Sequence, residues 1–255
     1  MTQPAATSID FRNVAYRIAP DRLLLDDITF EVAAGETLML LGRSGSGKTT
    51  CLKMINRLLE PTSGEVLVQG KALAQWDGVR LRRSMGYAIQ DVGLFPHYTV
   101  RENVGLIPKL EGWERPRVDA RLQEVLALVG LPLEQFGDRY PHQLSGGQRQ
   151  RVGLARALAA DPPILLMDEP FGALDPITRS EIQVEFHKLQ QTLKKTVVFV
   201  THDVGEALML GDRIGLMDTG RLRGMYTAEE FWKAEDELAK SYRQVVEAAQ
   251  QRLGR

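Results

Sequence analysis

Leu38-Met39-Leu40-Leu41-Gly42-Arg43-Ser44-Gly45-Ser46-Gly47-Lys48-Thr49-Thr50 decides how this chain is read. Four consecutive apolar residues have the length and character of a buried strand. The eight from Gly42 to Thr49 then fit G-x-x-x-x-G-K-[ST], and a helix is expected over Thr49–Leu59, closed by Pro61 and Gly64. Glycines let the backbone wrap closely around an anion, and successive N–H groups at a helix N-terminus face its charge. In that pattern Lys48 reaches the outer phosphates of a nucleotide and the Thr49 hydroxyl goes to Mg²⁺. A glycine-rich turn with no ligand is the plain alternative, but it does not require the lysine and hydroxyl to follow in order.

A second apolar run, Ile164-Leu165-Leu166-Met167, ends in Asp168-Glu169. Open α/β sheets bind ligands at the C-terminal ends of their strands, so both carboxylates fall where a phosphate site would need them. Asp168 is the expected Mg²⁺ partner, and Glu169 the group that orients and polarises an attacking water. Alone, a strand ending in Asp-Glu says little; beside the phosphate loop it completes a hydrolytic pair.

The rest of the chain arranges itself around these two strands. Residues 1–8 read as a loose end, and Ile9 to Val32 alternates apolar and polar about a turn at Ala19-Pro20-Asp21, which predicts antiparallel strands. Further strands are expected at Glu65–Val68, Met85–Ile89, Val197–Val200 and Ile214–Met217. Between Gly93 and Leu144 the chain turns helical, broken by Pro108, Pro116, Pro132 and Pro141. Strands alternating with helices after that predict parallel βαβ units. A charged tail from Ala228 to Leu253 reads as helix. The expected class is α/β: one domain over 9–227 with an antiparallel β subdomain, a helical subdomain inserted at about 93–158, and a helical tail over 228–255.

Bulk composition narrows the function. The 32 basic and 33 acidic residues nearly cancel, which gives no electrostatic reason to expect nucleic acid as partner. The single cysteine, Cys51, excludes an intramolecular disulfide and fits a reducing compartment. No run approaches the roughly 20 apolar residues that cross a bilayer. Met1 to Asp10 lacks the basic and apolar regions of a secretory signal, so a cytoplasmic protein is expected.

Leu144-Ser145-Gly146-Gly147-Gln148, followed by a helical Arg149–Leu158, resembles the signature of the ABC ATPases. Ser145 and the glycines would cap that helix and expose N–H groups to an anion. The family's other motifs stand in order. Tyr16 matches the aromatic that stacks on adenine, although a half-buried strand aromatic would look the same. Gln90 resembles the Q-loop glutamine, which shares the Mg²⁺ with Thr49 and Asp168. Ala173-Leu174-Asp175 resembles the D-loop, and His202 the switch histidine that contacts the γ-phosphate.

The resemblance spans about Ile9 to Gly220 and implies a P-loop NTPase fold of the ABC type that binds ATP with Mg²⁺. It implies catalysis through Lys48, Gln90, Glu169 and His202, and ATP contacts from Tyr16, Gly42, Arg43, Ser44, Gly45, Ser46, Gly47, Lys48, Thr49 and Thr50. Ser145, Gly146, Gly147, Gln148 and Asp175 would complete the nucleotide site, the signature acting on the ATP of a partner subunit in a homodimer.

In related importers the segment Gly93–Val104 docks the membrane subunit; Phe95 and Tyr98 suit that contact or a place in the subdomain core equally. Ala88–His97, Ile107–Trp113 and Asn56–Gly64 are most similar to the quaternary-amine (glycine betaine, choline, carnitine) uptake ATPases. That implies separate permease subunits, an indirect solute-binding protein and a place on the cytoplasmic face of the membrane. Amino-acid import and lipid trafficking or export keep the same motifs and remain alternatives. Many members of the amine group carry regulatory domains after the ATPase. Here the sequence ends at Arg255 and the tail Tyr226–Trp232 departs from the usual ending, so sensing of ionic strength through such a domain is not expected.

Overall fold

The computed structural model describes residues 6–90, 92–172 and 174–253. In chain order the strands are β1 (Thr7–Ala19), β2 (Arg22–Ala33), β3 (Thr37–Gly42), β4 (Ser63–Val68) and β5 (Lys71–Ala72). They continue with β6 (Met85–Ala88), β7 (Ile164–Asp168), β8 (Thr196–Thr201), β9 (Arg213–Asp218) and β10 (Arg221–Tyr226). The fold is of the expected α/β class. Two compact units divide it: residues up to Trp76 together with those from Val198 onward, and Asp77–Val197.

In the first unit, β2-β1-β4-β5 form a sheet in which β1 pairs antiparallel with both β2 and β4. Ile9, Phe11 and Val14 on β1 and Leu25, Ile28, Phe30 and Val32 on β2 are buried, with Phe11 and Phe30 stacked at 4.4 Å between centroids. A register shift between Phe11 and Val14, where Asn13 takes φ 47°, resets the two-residue alternation so that both side chains still reach the core. Residues 7 and 8, expected in a loose end, already belong to β1, where the Ser8 carbonyl accepts from the Gln69 amide at 2.7 Å. Ala6 before them accepts from the Ala34 amide at 2.8 Å, and residues 1–5 of that expectation lie outside the described residues.

The same unit carries strands in the order β10-β9-β3-β8. All six residues of β3 are buried, and β3 runs parallel to β9 from Leu38↔Arg213 to Gly42↔Met217. A parallel strand covered on both faces must be apolar throughout, which is why Leu38–Leu41 reads as an unbroken run. Strand β10 has no counterpart among the sequence expectations. Its sequence, Arg-Leu-Arg-Gly-Met-Tyr, is too polar to stand out, but Thr219 and Gly220 both take positive φ in a two-residue loop joining it antiparallel to β9. That dipeptide was the available hairpin signal.

The helix after the phosphate loop is shorter than expected, Lys48–Ile55 rather than ending at Leu59. Asn56 caps it, Arg57 turns left-handed at φ 53°, and the Leu58 and Leu59 amides both return to the Lys53 carbonyl. The charged tail forms two helices, Ala228–Lys233 and Glu237–Leu253, pinned by Arg243, whose guanidinium donates to the Phe231 and Ala234 carbonyls. Residues 254 and 255 lie outside the described residues.

In the second unit β6 and β7 pair in parallel, with helices at Gly78–Arg83, Val100–Val104, Leu106–Leu110, Arg115–Leu128, Leu133–Phe136, Gly146–Leu158 and Pro176–Leu193. The prolines expected to break helices mostly begin them. Pro116 lies in the first turn of Arg115–Leu128, Pro132 is an N-cap, and Pro141 opens a short 3₁₀ turn. At those positions the missing N–H costs nothing, since the first turn leaves its amides unpaired anyway. Only Pro108 stands within a helix, and that helix has five residues.

Phe11→Ala should lower unfolding free energy by about 3–5 kcal/mol, the range for emptying a buried aromatic site. Urea denaturation checks this; a loss below about 1 kcal/mol would mean the β1–β2 face is not part of the cooperative core.

Candidate active site

The phosphate loop begins where β3 ends. Gly47 takes φ 102° at the N-cap of Lys48–Ile55, and a Cβ there would lie 2.4 Å from Leu25 Cδ2, so both backbone and space demand glycine. No acidic residue occupies the first turn of that helix, which leaves its positive end to an external anion. Lys48 is only 4% exposed, and its ammonium donates to the carbonyls of Gly42 at 2.8 Å and Arg43 at 2.9 Å. Arg43, Ser44 and Gly45 are exposed, Ser46 is buried, and Thr49 and Thr50 are half-buried. Thus the loop holds its lysine on its own carbonyls while its middle faces outward.

Two further expected residues belong to this unit. Tyr16 is half-buried on β1 opposite Leu25. His202 is exposed just after β8, and its neighbours explain how it is held. The Thr201 hydroxyl donates to buried Glu206 at 2.5 Å and accepts from the Asp203 amide at 2.9 Å. Asp203 in turn caps the helix Val204–Leu210, accepting from the Gly205 and Glu206 amides. Thr201, Asp203 and Glu206 therefore clamp both sides of His202. Sequence reading missed them in that role; the Asp-x-x-Glu cap after an apolar strand was the signal.

The second unit brings together the carboxylates, the signature and the glutamine loop. Asp168 closes β7 and is 7% exposed. Tyr87, opposite Leu166 on β6, has its phenol pushed above the ordinary range, first by burial and then by the Asp168 charge. Glu169 takes φ 44°, and the Gly172 amide bonds back to its carbonyl at 3.1 Å. A left-handed glutamate costs on the order of 1 kcal/mol, strain of the kind that gathers at functional sites. Buried Gln150, on the helix Gly146–Leu158, donates to the Pro170 carbonyl and so ties that helix to the turn bearing Glu169. Nothing in the sequence alone marked Gln150.

Ser145 caps the helix Gly146–Leu158 reciprocally: its side chain accepts from the Gln148 amide at 3.2 Å, and Gln148 accepts from the Ser145 amide at 3.0 Å. This is the cap expected from the sequence, and Ser145 and Gly146 are exposed. Gln90 is exposed in the turn after β6. Its loop is anchored two residues on, where Arg156 donates to the Val92 and Gly93 carbonyls, both at 2.6 Å, with both residues left-handed. Burial pulls the Arg156 guanidinium below its usual range. Asp175 caps the helix Pro176–Leu193, and bonds from the Thr178 side chain and amide hold its carboxyl below the usual range. Ala173, the first residue of the expected D-loop, lies outside the described residues, as does Asp91.

Asn103, fully buried, accepts from the Phe95 amide at 2.8 Å and donates to the carbonyls of Phe95, Tyr98 and Thr99 at 3.0–3.1 Å. This one side chain folds the segment after Gln90 into a turn that presents Phe95, His97 and Tyr98 as an aromatic cluster. Phe95 is 41% exposed, which removes it from the subdomain core.

As to a metal, no three His, Cys, Asp or Glu side chains gather into a cluster among the described residues. Mg²⁺ bound with nucleotide needs none, since it takes most of its ligands from phosphate and water. The hydroxyl of Thr49, the Asp168 carboxylate and the Gln90 amide oxygen are the hard oxygen donors it prefers. No helix among the described residues is long and apolar enough to cross a membrane.

A family model described as ABC transporter matches residues 25–172. The glycine betaine/carnitine/choline transport ATP-binding protein OpuCA of Bacillus subtilis is 52% identical over 206 residues, 81% of this chain and 54% of the relative. The glycine betaine uptake system ATP-binding protein YehX of Escherichia coli is 50% identical over 214 residues, 84% of this chain and 69% of the relative. This chain spans only 54–58% of the length of the first curated relatives it matches. Among solved structures, the ATP-binding cassette MJ0796, a dimer in a post-hydrolysis state bound to ADP and Pi, superposes with a TM-score of 0.77 at 35% identity. That match covers 86% of this chain and 98% of the other. The protein cbiO1 from Clostridium perfringens, part of a cbiONQ transporter complex, gives a TM-score of 0.81 at 27% identity, covering 93% and 94%.

Asn103→Ala should cost about 1–3 kcal/mol, because the Phe95 amide and the Tyr98 carbonyl would lose the Asn103 side chain while the Phe95 and Thr99 carbonyls keep only their backbone donors. Thermal unfolding gives the value; a melting temperature equal to wild type would show that the turn stands without it.

Proposed function

The chain belongs to the ABC transporter family, and on that premise we propose that it binds and hydrolyses ATP to energise import of a quaternary-amine osmoprotectant through separate permease subunits. The observation that carries the reading is the phosphate loop: a fully buried strand delivering a glycine-shaped loop, a buried lysine and an unneutralised helix N-terminus. Lys48 and the loop amides of residues 42–50 would hold the phosphates, and Tyr16 the adenine. Thr49, Asp168 and Gln90 would hold Mg²⁺, which neutralises phosphate charge when bound. Glu169 would orient a water for attack on the γ-phosphorus, the bond to the leaving ADP oxygen breaking as phosphate forms. His202, steadied by Thr201 and Asp203, would contact the γ-phosphate.

Two copies would share two ATPs, with Ser145, Gly146, Gly147 and Gln148 of one facing the nucleotide of the other, and Asp175 nearby in the same motif set. Dimeric cassette neighbours support that arrangement. ATP binding the closed dimer better than the open one would make hydrolysis a switch. The ATPase core would span 9–227, with 228–255 as its tail.

A groove of about 310 Å³ suits the permease contact, lined by Met85, Ile89, Phe95, Leu106 and Ile107 with Arg82 at its margin. The chain would then work at the cytoplasmic face of the membrane, served indirectly by a solute-binding protein. The solute assignment follows the named transport relatives, none of which is this chain.

Glu169→Gln should bind ATP, turn it over very slowly and accumulate as a dimer in gel filtration; normal turnover would overturn the assignment of Glu169. Lys48→Ala should lose most of the stabilisation, about 2.7 kcal/mol, that ATP at a hundredfold over its dissociation constant gives wild type. For the solute, the complex in liposomes with its binding protein is challenged with betaine, choline, amino acids and phospholipid. Stimulation of ATPase by an amine and by nothing else is expected; stimulation by another class would replace the cargo and keep the motor.

A further inference from the structure

Gly153 stands in the middle of the helix Gly146–Leu158 and is buried. A glycine there weakens the helix relative to alanine, so it needs a packing reason. A Cβ placed on it would lie 2.7 Å from Val92 Cγ1, well inside van der Waals contact. Val92 is in turn fixed by its backbone. Its amide donates to the Ile89 carbonyl at 3.1 Å, closing the turn that carries Gln90, and its carbonyl accepts from Arg156 at 2.6 Å. It also holds φ 57°, a left-handed conformation rare for a β-branched residue. One turn of helix thus fixes the loop twice: Gly153 leaves a gap for the Val92 methyl, and Arg156, three residues on, bonds the Val92 and Gly93 carbonyls.

The turn before serves the other catalytic segment. Gln150, three residues ahead of Gly153, donates to the Pro170 carbonyl beside Glu169. The loop and the turn meet at this stretch of helix, where Ile89 and Val92, Pro170 and Phe171, and Gln150 and Gly153 line one small cavity. From this we infer that Gly153 is a positioning residue: its missing side chain seats the Gln90 loop on the signature helix and, through Gln150, ties that loop to the turn bearing Glu169. Lifting the loop from the helix would then loosen the turn as well, with no nucleotide needed to carry the effect. Gly153 is none of the motif residues that the family resemblance supplies. The inference rests on the ATPase reading for its effect on turnover, and on the geometry alone for the contact.

A double-mutant cycle on the full chain tests it. Gly153→Ala collides with the Val92 methyl, and Val92→Ala removes that methyl while the Arg156 bonds remain. Steady-state ATP hydrolysis, melting temperature and amide hydrogen exchange are measured for both single variants and the pair. We expect Gly153→Ala to lower kcat about tenfold with little change in the KM for ATP, and Val92→Ala to restore it, a coupling typical of residues in contact. Val92→Ala alone should stay within about twofold of wild type. Without nucleotide, Gly153→Ala should speed exchange severalfold at the Val92 amide, which reports the loop, and at the Gly172 amide, which reports the turn through its bond to the Glu169 carbonyl. Both should return to wild-type rates in the pair.

Melting temperature supplies a test of sign. With Val92 present, Gly153→Ala should melt below wild type; with Val92→Ala it should melt about 2–4 °C above that single variant, because the helix preference for alanine is then unopposed. A rise in melting temperature with full turnover for Gly153→Ala alone would overturn the inference. Faster exchange at Val92 but not at Gly172 would overturn the tie to the Glu169 turn. Should Gly153→Ala fail to fold, a folded pair supports the contact and an unfolded pair overturns it. Absence of ATP turnover by wild type would overturn the ATPase reading, while exchange and melting still decide the seat.

Discussion

A buried ammonium must be hydrogen-bonded, and Lys48 meets that requirement on the carbonyls of Gly42 and Arg43. Those bonds curl the loop around its own lysine. The curl is possible because Gly47 takes a left-handed conformation against Leu25, and because β3 enters it from a position buried on both faces. The antiparallel sheet supplies Leu25, and β9 supplies the parallel partner that keeps β3 dry. Much of the first unit can therefore be traced to one demand: a cation must be held, out of water, on the carbonyls of the loop that precedes a helix N-terminus.

The second unit solves a related problem by different means. Its functional groups stand on turns, and turns need anchors. Gln150 fixes the turn of Glu169, Arg156 fixes the loop of Gln90, and Asn103 fixes the aromatic turn. All three sit within helices adjoining the segment they hold. Each replaces backbone pairing that an irregular segment cannot supply itself, which is why such polar side chains are found beneath solvent-facing loops. The strain at Glu169 fits this picture, since a left-handed glutamate persists only where its surroundings over-determine it.

Motif-bearing strands were legible in the chain because burial on both faces leaves only apolar residues, and polar residues then mark the strand ends. Leu38–Leu41 and Ile164–Met167 announce themselves this way, as do the phosphate loop and the Ser145 cap, whose chemistry is local. Strand β10 did not, since an antiparallel strand of mixed polarity is defined by its partner. The early stop of the helix after the phosphate loop also escaped, because Arg57 turning left-handed has no sequence mark as clear as glycine.

What the sequence by itself determined is the set of groups whose partners lie within a few residues: the phosphate loop, the paired carboxylates, the helix caps and the alternation of strands and helices. Tertiary structure alone decided which side chains hold those groups in place. Gln150 reaches Pro170, Arg156 reaches Val92 and Gly93, and Val92 meets Gly153, each across 20 or more positions of chain. The physical reason is range: a cap or a glycine turn is settled by the dihedrals of its own neighbours, whereas a contact between distant segments exists only once the core has brought them within hydrogen-bond or van der Waals distance.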